Sequence, residues 1–397
     1  MKQTIAVINA GSSSFKFSVF SAGAKARLER VADGAIQDLG STPEFFAHDA
    51  RGVKLAEHCW SQGAEPSAEE LVSYVISWIE HYAGSGSLLA AGHRVVFGGA
   101  LHRSPVRIGP GVLEQINTLT PLMPLHLPQN LAAIRALAVM YPHLPQVACF
   151  DTAFHQSIPP IARLFALPRE LTQAGIVRYG FHGLSYEYIA AALPQYDARA
   201  AQGRTIVAHL GNGASLCALD HCRSVDTTMG FSVLDGLVMG TRPGWLDPGV
   251  LLYLIREKQF DAPRLEHLLY EQCGLLGVSG LSADLRTLLA SRTPEAQEAI
   301  ALFCHRIISA IGSMVVPLGG LDALVFTGGI GENAAFVRHR VCEALHWLGL
   351  SLDGDANASG GPRISARDSR ISAWVIRADE ALMIARHTYA LVGAAQD

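Results

Sequence analysis

The chain has no C-x-x-C pair, no run of lysine and arginine, and no low-complexity linker. Its seven cysteines (Cys59, Cys149, Cys217, Cys222, Cys273, Cys304 and Cys342) are odd in number and scattered. That pattern excludes a fully paired disulfide framework and reads as reduced core thiols in a cytosolic protein. Cys217 and Cys222 flank His221 at a spacing that no zinc motif uses. Charge is also sparse: 17% of residues are charged and the net charge is −4, so the footprint of a nucleic-acid partner is missing. The apolar stretch TIAVI near the N-terminus breaks at Asn9, which is short for a signal peptide. The one stretch that invites a membrane reading, residues 314–330, contains Pro317, paired glycines and Asp322. It is expected to be a buried strand with flanking turns. A soluble cytoplasmic protein without membrane or nucleic-acid partners is the expectation.

What is present is a long chain of 397 residues, 49% of them hydrophobic, which suits two domains of a well-buried enzyme. Strand-like runs alternate with helical patterns, the mark of an α/β architecture. In NAGSSSFKFSVF, residues 9–20, a Gly/Ser turn beside a lysine suggests phosphate. Behind the turn, however, Phe15, Phe17 and Val19 alternate with Lys16 and Ser18, a period of two. The turn therefore joins two strands, which excludes both the P-loop and the dinucleotide fingerprint, whose glycines open a helix. A helix is expected over 67–83, with Ser67 and Glu70 as a capping box and Leu71, Val75, Trp78 and Tyr82 as its apolar stripe. Further helices are expected over 128–141, 298–316 and 379–392, with strands at 92–99 and at 145–155, the latter ending at Asp151. A strand, a glycine turn over 328–333 and another helix complete the second half.

TIAVINAGSSSFKFSVF from Thr4 and TIVAHLGNGASLCALDH from Thr205 share one plan: apolar strand, small polar turn, alternating strand. Each copy begins its own half of the chain. Two related α/β domains follow from this, over 1–150 and 151–380, with the C-terminal helix 381–397 a candidate completion of the first. Each offers a turn to a shared cleft, and two such turns could grip one polyphosphate. Uncommon polar residues collect at strand ends and glycine turns: Asn9, Lys16, His93, Arg94, His126, Asp151, His182, His209, Asn212, Arg242 and Glu380. Glycine beside them permits close approach to a ligand.

NAGSSSFKF, GHRVVFGG, PLHLPQN, FDTAFH, RYGFHGLS, HLGNGAS, GTRPGWLDPG, GVSGLSADLR and FTGGIGEN occur in an order that resembles the acetate kinases, across nearly the whole chain. The resemblance implies the duplicated ribonuclease H-like, actin-like ATPase fold of the superfamily shared with sugar kinases, actin and heat-shock chaperones. It implies transfer of the γ-phosphoryl of ATP to acetate, reversibly, with ADP and acetyl phosphate as products. By resemblance Arg94 holds the acetate carboxylate, and His182 and Arg242 stabilise the phosphoryl group in transit. Asp284, Leu285 and Arg286, with Gly329, Ile330, Gly331, Glu332 and Asn333, are implied at the adenosine. His209, Leu210, Gly211, Asn212 and Gly213 form the phosphate-binding turn, and Lys16, Ser12 and Ser14 face the nucleotide phosphates. Asn9 and Glu380 are implied ligands of magnesium, with manganese the alternative. Asp151 is catalytic in the family; positioning the magnesium–phosphate unit or Arg94 is the role expected here, because an ionised carboxylate acceptor needs no base. His126 is a further candidate. The implied acyl pocket is Val96, Leu125, Phe181 and Val233. Departures are Val233 in place of a frequent proline, Phe97 in place of a frequent histidine, and Pro243 and Trp245 at variable positions. The first leaves acetate against propionate open. A homodimer is implied.

Overall fold

The computed structural model describes residues 3–11, 14–23, 27–39, 42–61, 63, 66–84 and 86–393. The backbone divides into two units, Met1–Ala153 with Asp379–Asp397, and Phe154–Ala378. Asp151 thus belongs with the first unit.

The first unit is built on strands β1 (Gln3–Ala10), β2 (Phe15–Ala22), β3 (Leu28–Gln37), β4 (Glu44–Asp49), β5 (Lys54–Cys59), β6 (Leu88–Val95), β7 (Val106–Arg107) and β8 (Gln146–Phe150). They form one mixed sheet in the order β5-β4-β3-β2-β1-β6-β8-β7. β1 pairs antiparallel with β2, placing Asn9 opposite Lys16, and parallel with β6. The amide of Gly11 donates to the Ser14 carbonyl at 2.9 Å and closes the hairpin turn. β1 is buried from Thr4 to Ile8 because both faces of the sheet are covered. The helices Ala68–Ala83 and Leu127–Met140 share a core with Phe17, Phe45 and Ile8. Ser67 and Glu70 form the expected capping box, with the Glu70 carboxylate accepting from the Ser67 amide at 2.7 Å. The apolar stripe lies differently: Leu71, Val72, Val75, Ile76 and Ile79 are buried, whereas Tyr82 is 39% exposed and stacks on Trp78. The helix turns the β-branched residues to the sheet and leaves the larger rings at its margin. The C-terminal helix Glu380–Gly393 packs on this same sheet. Gly92 of β6 permits the contact, since a Cβ there would overlap Thr388 and Ile384.

The second unit repeats the opening pairing. β9 (Arg204–Leu210) runs antiparallel to β10 (Ala214–Asp220) and parallel to β12 (Ala323–Thr327), while β11 (Arg223–Thr227) and β13 (Ser372–Val375) close the edges in the order β11-β10-β9-β12-β13. The helix Pro294–Leu318 is long and apolar enough to cross a membrane, yet Ile300, Phe303, Ile307, Ile311 and Met314 are buried within the unit. Two local expectations change here. Residues 314–330 are not a strand with turns. The helix runs through Pro317 to Leu318, where the missing amide affects only its last turn. The strand is confined to Ala323–Thr327, and the expected glycine turn is a short helix, Gly328–Asn333. Gly328 at φ 77° reverses the chain, and the Glu332 carboxylate accepts from the Gly328 amide at 3.1 Å, which holds the new turn in place.

His93, 2% exposed in β6, gives a pH test of the first unit. Burial pushes its imidazole down to about 4, with the Gln146 side chain offsetting part of the effect. Between pH 6.5 and 4 the unfolded chain therefore binds the extra proton, so stability falls as pH falls. Urea unfolding at several pH values is expected to show H93Q losing less stability than the wild type across that window, by on the order of 3 kcal/mol. Parallel pH slopes for the two proteins would contradict it.

Candidate active site

In the first unit the polar residues gather where strands end. Arg94 sits at the end of β6 and Asp151 directly after β8. The Arg94 Nη2 donates to Asp151 Oδ2 at 2.6 Å, and Asp151 is only 1% exposed. The Asp151 amide is fixed by the Val95 carbonyl at 2.9 Å, which sets the carboxylate beside the guanidinium. Burial alone would lower the Arg94 pKa, but the carboxylates of Asp151 and Glu380 raise it on balance. Glu380 opens the C-terminal helix. Burial and the neighbouring Asp151 push its carboxyl up to about 7, with Arg94 and Lys16 pulling the other way. The helix start is pinned by Asp379, whose carboxylate accepts from the Leu382 amide at 2.9 Å and from Arg30 at 2.5 Å.

Val96 and the hairpin are tied together by Asn130, which sequence reasoning missed. Its Oδ1 accepts from the Val96 amide at 3.0 Å and its Nδ2 donates to the Ala10 carbonyl at 2.7 Å. The signal was present as one polar residue on the buried stripe Leu127, Asn130, Leu131, Ile134. Leu125 and His126 lie half-buried in the turn before that helix. Asn9 is half-buried and Lys16 exposed on the paired strands, and Ser14 closes the turn. Ser12 lies outside the described residues.

In the second unit His182 stands at the N-cap position of the helix Gly183–Tyr196 in a left-handed conformation, φ 57° and ψ 23°. Its Nδ1 lies 2.8 Å from Ser215 Oγ, and its ring stacks on His209 with centroids 4.3 Å apart. His209 Nδ1 in turn meets Ser185 Oγ at 2.8 Å. Gly213 lies close against both: a Cβ would come within 2.9 Å of Arg242 Nη2 and 3.3 Å of His182 Nε2, so a side chain there would push on the two groups. The β9–β10 turn thus lies directly against the two residues assigned to the phosphoryl group. Arg242 Nη1 donates to the Val233 carbonyl at 2.8 Å. Burial lowers its pKa, and among the described residues no carboxylate counters that effect. Phe181 is fully buried and Val233 is 7% exposed.

A cavity of about 730 Å³ adjoins this turn, lined by Gly211, Asn212, Asp284, Leu285, Arg286, Gly329, Ile330 and Asn333, with Ala283, Leu289 and Ala334. The last three were not anticipated, because nothing but the folded path of the chain marks an alanine or leucine as a wall. Asp284 caps its helix by accepting from the Arg286 amide at 2.9 Å and pairs with the exposed Arg286 guanidinium at 2.7 Å. His209, Leu210, Gly213, Gly331 and Glu332 stand outside the lining. Leu210 and Gly331 are buried, and Glu332 is turned back onto Gly328, so these residues shape the walls from behind. Among the described residues no three His, Cys, Asp or Glu side chains gather as a metal site.

The sequence matches the Acetokinase family model over residues 4–386. It is 53% identical over 395 residues to an acetate kinase from Rhodopseudomonas palustris, covering 98% of this chain and 99% of that one. It is 46% identical over 389 residues to an acetate kinase from Nitrobacter hamburgensis, covering 98% and 96%. Among solved structures, a propionate kinase from Francisella tularensis superposes with a TM-score of 0.91 at 34% identity, covering 98% and 100% of the two chains. An acetate kinase from Porphyromonas gingivalis does so with a TM-score of 0.88 at 32% identity, covering 98% and 99%. Sequence and architecture agree along nearly the whole length, and the chain belongs to the acetokinase family.

Proposed function

We propose that this protein is an acetate kinase that moves the γ-phosphoryl group of ATP to acetate, reversibly, giving acetyl phosphate and ADP. The observation that carries the reading is Arg242: a part-buried guanidinium that no carboxylate balances among the described residues, set against the glycine turn of β9–β10. Such a cation is built for an anion that arrives from outside. The adjoining cavity of about 730 Å³ is of a size for a nucleoside.

The chemistry asks little of a base. A simple carboxylic acid is already ionised at neutral pH, so its oxygen attacks the γ-phosphorus directly and in line. The obstacle is repulsion between acetate and a polyphosphate. In this reading Arg94 binds the acetate carboxylate. Its Nη2 is committed to Asp151, while its buried Nε has no hydrogen-bond partner among the described residues and is available to donate. Asp151 acts by orienting that guanidinium. Arg242 and His182 stabilise the charge on the phosphoryl oxygens in transit. The adenosine occupies the cavity beside Asp284–Arg286 and Gly329–Asn333, and Lys16 with Ser14 serves the phosphates.

Asn9 and Glu380 would hold magnesium, and their oxygen donors suit a hard cation that keeps part of its water shell. The raised Glu380 carboxyl supports this, because a cation would relieve the burial and the Asp151 repulsion that disfavour its charge. Bound there, the ion would neutralise phosphate charge. A homodimer in the cytoplasm completes the reading. The helix Pro248–Lys258 buries no residue and exposes Val250, Leu252, Tyr253 and Ile255, an apolar face suited to a second copy.

Trapping with hydroxylamine tests the reaction: ATP and acetate together are expected to yield acetohydroxamate. ATP turnover without any acetate-dependent product would refute the proposal. R242A and H182A are each expected to lower kcat by on the order of 10³-fold while the KM for ATP changes little. Variants that lose nucleotide binding but keep single-turnover transfer would reverse those assignments. For acceptor choice, kcat/KM is expected to be highest for acetate, with each added methylene worth about 1–3 kcal/mol in the pocket. A maximum at propionate would make the protein a propionate kinase instead.

A further inference from the structure

His155 lies four residues beyond Asp151, in a short 3₁₀ turn of the second unit, and is 1% exposed. The kinase reading gives it no task. Its two nitrogens are nevertheless both engaged. Nε2 is 2.9 Å from the carbonyl oxygen of Phe181, and Nδ1 is 2.9 Å from Ser224 Oγ. A carbonyl can only accept, so Nε2 carries the proton and Nδ1 accepts the Ser224 hydroxyl. The Ser224 oxygen lies 3.3 Å from Cys217 Sγ. Burial pushes the Cys217 thiol up, so it stays protonated, with the Ala218 carbonyl and the Ser224 hydroxyl both in its reach. The chain from Ser224 through His155 to Phe181 is then continuous, with the Nε2–H at its end on the Phe181 carbonyl.

The end of that chain is what matters. Phe181 immediately precedes His182, whose backbone sits at φ 57°, a conformation uncommon for a residue with a Cβ. Gly180, at φ 81°, lies against the His155 ring, and a Cβ there would overlap it. The backbone from Gly180 to His182 is thus braced by His155, while the His182 ring is oriented through Ser215, which also meets Tyr186 Oη at 2.5 Å. Tyr186 packs edge-on to His155, with centroids 5.6 Å apart. One brace fixes the main chain of His182 and the other its imidazole.

We propose that His155 is a positioning residue for phosphoryl transfer: its Nε2–H, bonded to the Phe181 carbonyl, holds His182 in the left-handed conformation that aims its imidazole toward Gly213 and Arg242. The inference rests on the kinase reading for the task of His182. It does not make His155 a group that touches substrate. Removing the Nε2–H lets the 180–182 backbone relax and displaces the imidazole, which lowers the rate of transfer more than the binding of nucleotide.

The test compares wild type, H155N, H155Q and S224A in acetohydroxamate formation. Asparagine keeps an acceptor or donor for Ser224 but withdraws the one for Phe181; glutamine extends an N–H to the place of Nε2. H155N is expected to lose kcat by on the order of 10²-fold, with the KM for ATP within about twofold of wild type. H155Q is expected to recover most of that loss, and S224A to fall between the two. In an H182A background, H155N should add less than about twofold, because the two residues act as one unit. A wild-type kcat in H155N, an H155Q as slow as H155N, or losses that multiply onto H182A would each overturn the inference. Imidazole ¹⁵N NMR of the wild type covers the case in which H155N does not fold. The Nε2–H tautomer at His155 supports the brace, and an Nδ1–H tautomer overturns it. An active wild type with an unaffected H155N refutes this inference alone, whereas a wild type that makes no acetohydroxamate refutes the kinase reading itself.

Discussion

Carrying a carboxylate to a polyphosphate means pressing like charges together, and in the proposed reaction the cations Arg94 and Arg242 answer that repulsion. Arg242 is part-buried and, among the described residues, no carboxylate balances it, so burial disfavours its charge. Arg94 is the opposite case: Asp151 and Glu380 hold it charged, and one side of its guanidinium is spent on Asp151. An incoming anion repairs the first imbalance. The second gives a cation of fixed direction whose remaining donors are ready for a carboxylate. Arg94 stands at the end of a strand so well covered that its neighbour Val95 is fully buried, and Arg242 lies in the segment between β11 and the helix Pro248–Lys258, against the β9–β10 turn.

That burial also explains the backbone. Close approach to anions needs turns without side chains in the way, and a Cβ at Gly213 would press on Arg242 and His182. Where a side chain is essential the backbone is strained instead, as at His182, and the strain is held by hydrogen bonds to buried groups. Asn130 does comparable work in the first unit, joining the Ala10 carbonyl to the Val96 amide so that hairpin and strand end keep a fixed offset. Fixed dipoles and charges of this kind stabilise a transition state without having to reorganise as it forms.

Much of the architecture was readable from residues alone. The period of two after the first glycine turn gave β1 and β2, and the Ser67–Glu70 pair gave a helix start. The likeness of the two strand–turn–strand segments gave the shared pairing of β1 and β9. Local patterns report on local structure, and each of these is local. The turn at 328–333 was misread because its helix depends on Glu332 reaching back to Gly328, a contact no periodicity encodes. The Arg94–Asp151 pair spans 57 positions, beyond any local pattern, and its contact fits one of the two roles expected of Asp151, the positioning of Arg94. Asn130 and His155 were passed over because a buried polar side chain looks like any other until its partners are known. The cavity walls Ala283 and Leu289 carry no chemical mark at all.

If the protein supplies only charge and direction, the phosphoryl group passes from ATP to acetate in a single displacement, with no side chain as an intermediate carrier. Transfer from ATP made chiral at the γ-phosphorus with oxygen isotopes measures this directly, by the configuration of the acetyl phosphate formed. Inversion at phosphorus is the result the account predicts. Retention, the mark of two successive displacements through a phosphorylated side chain, would contradict it.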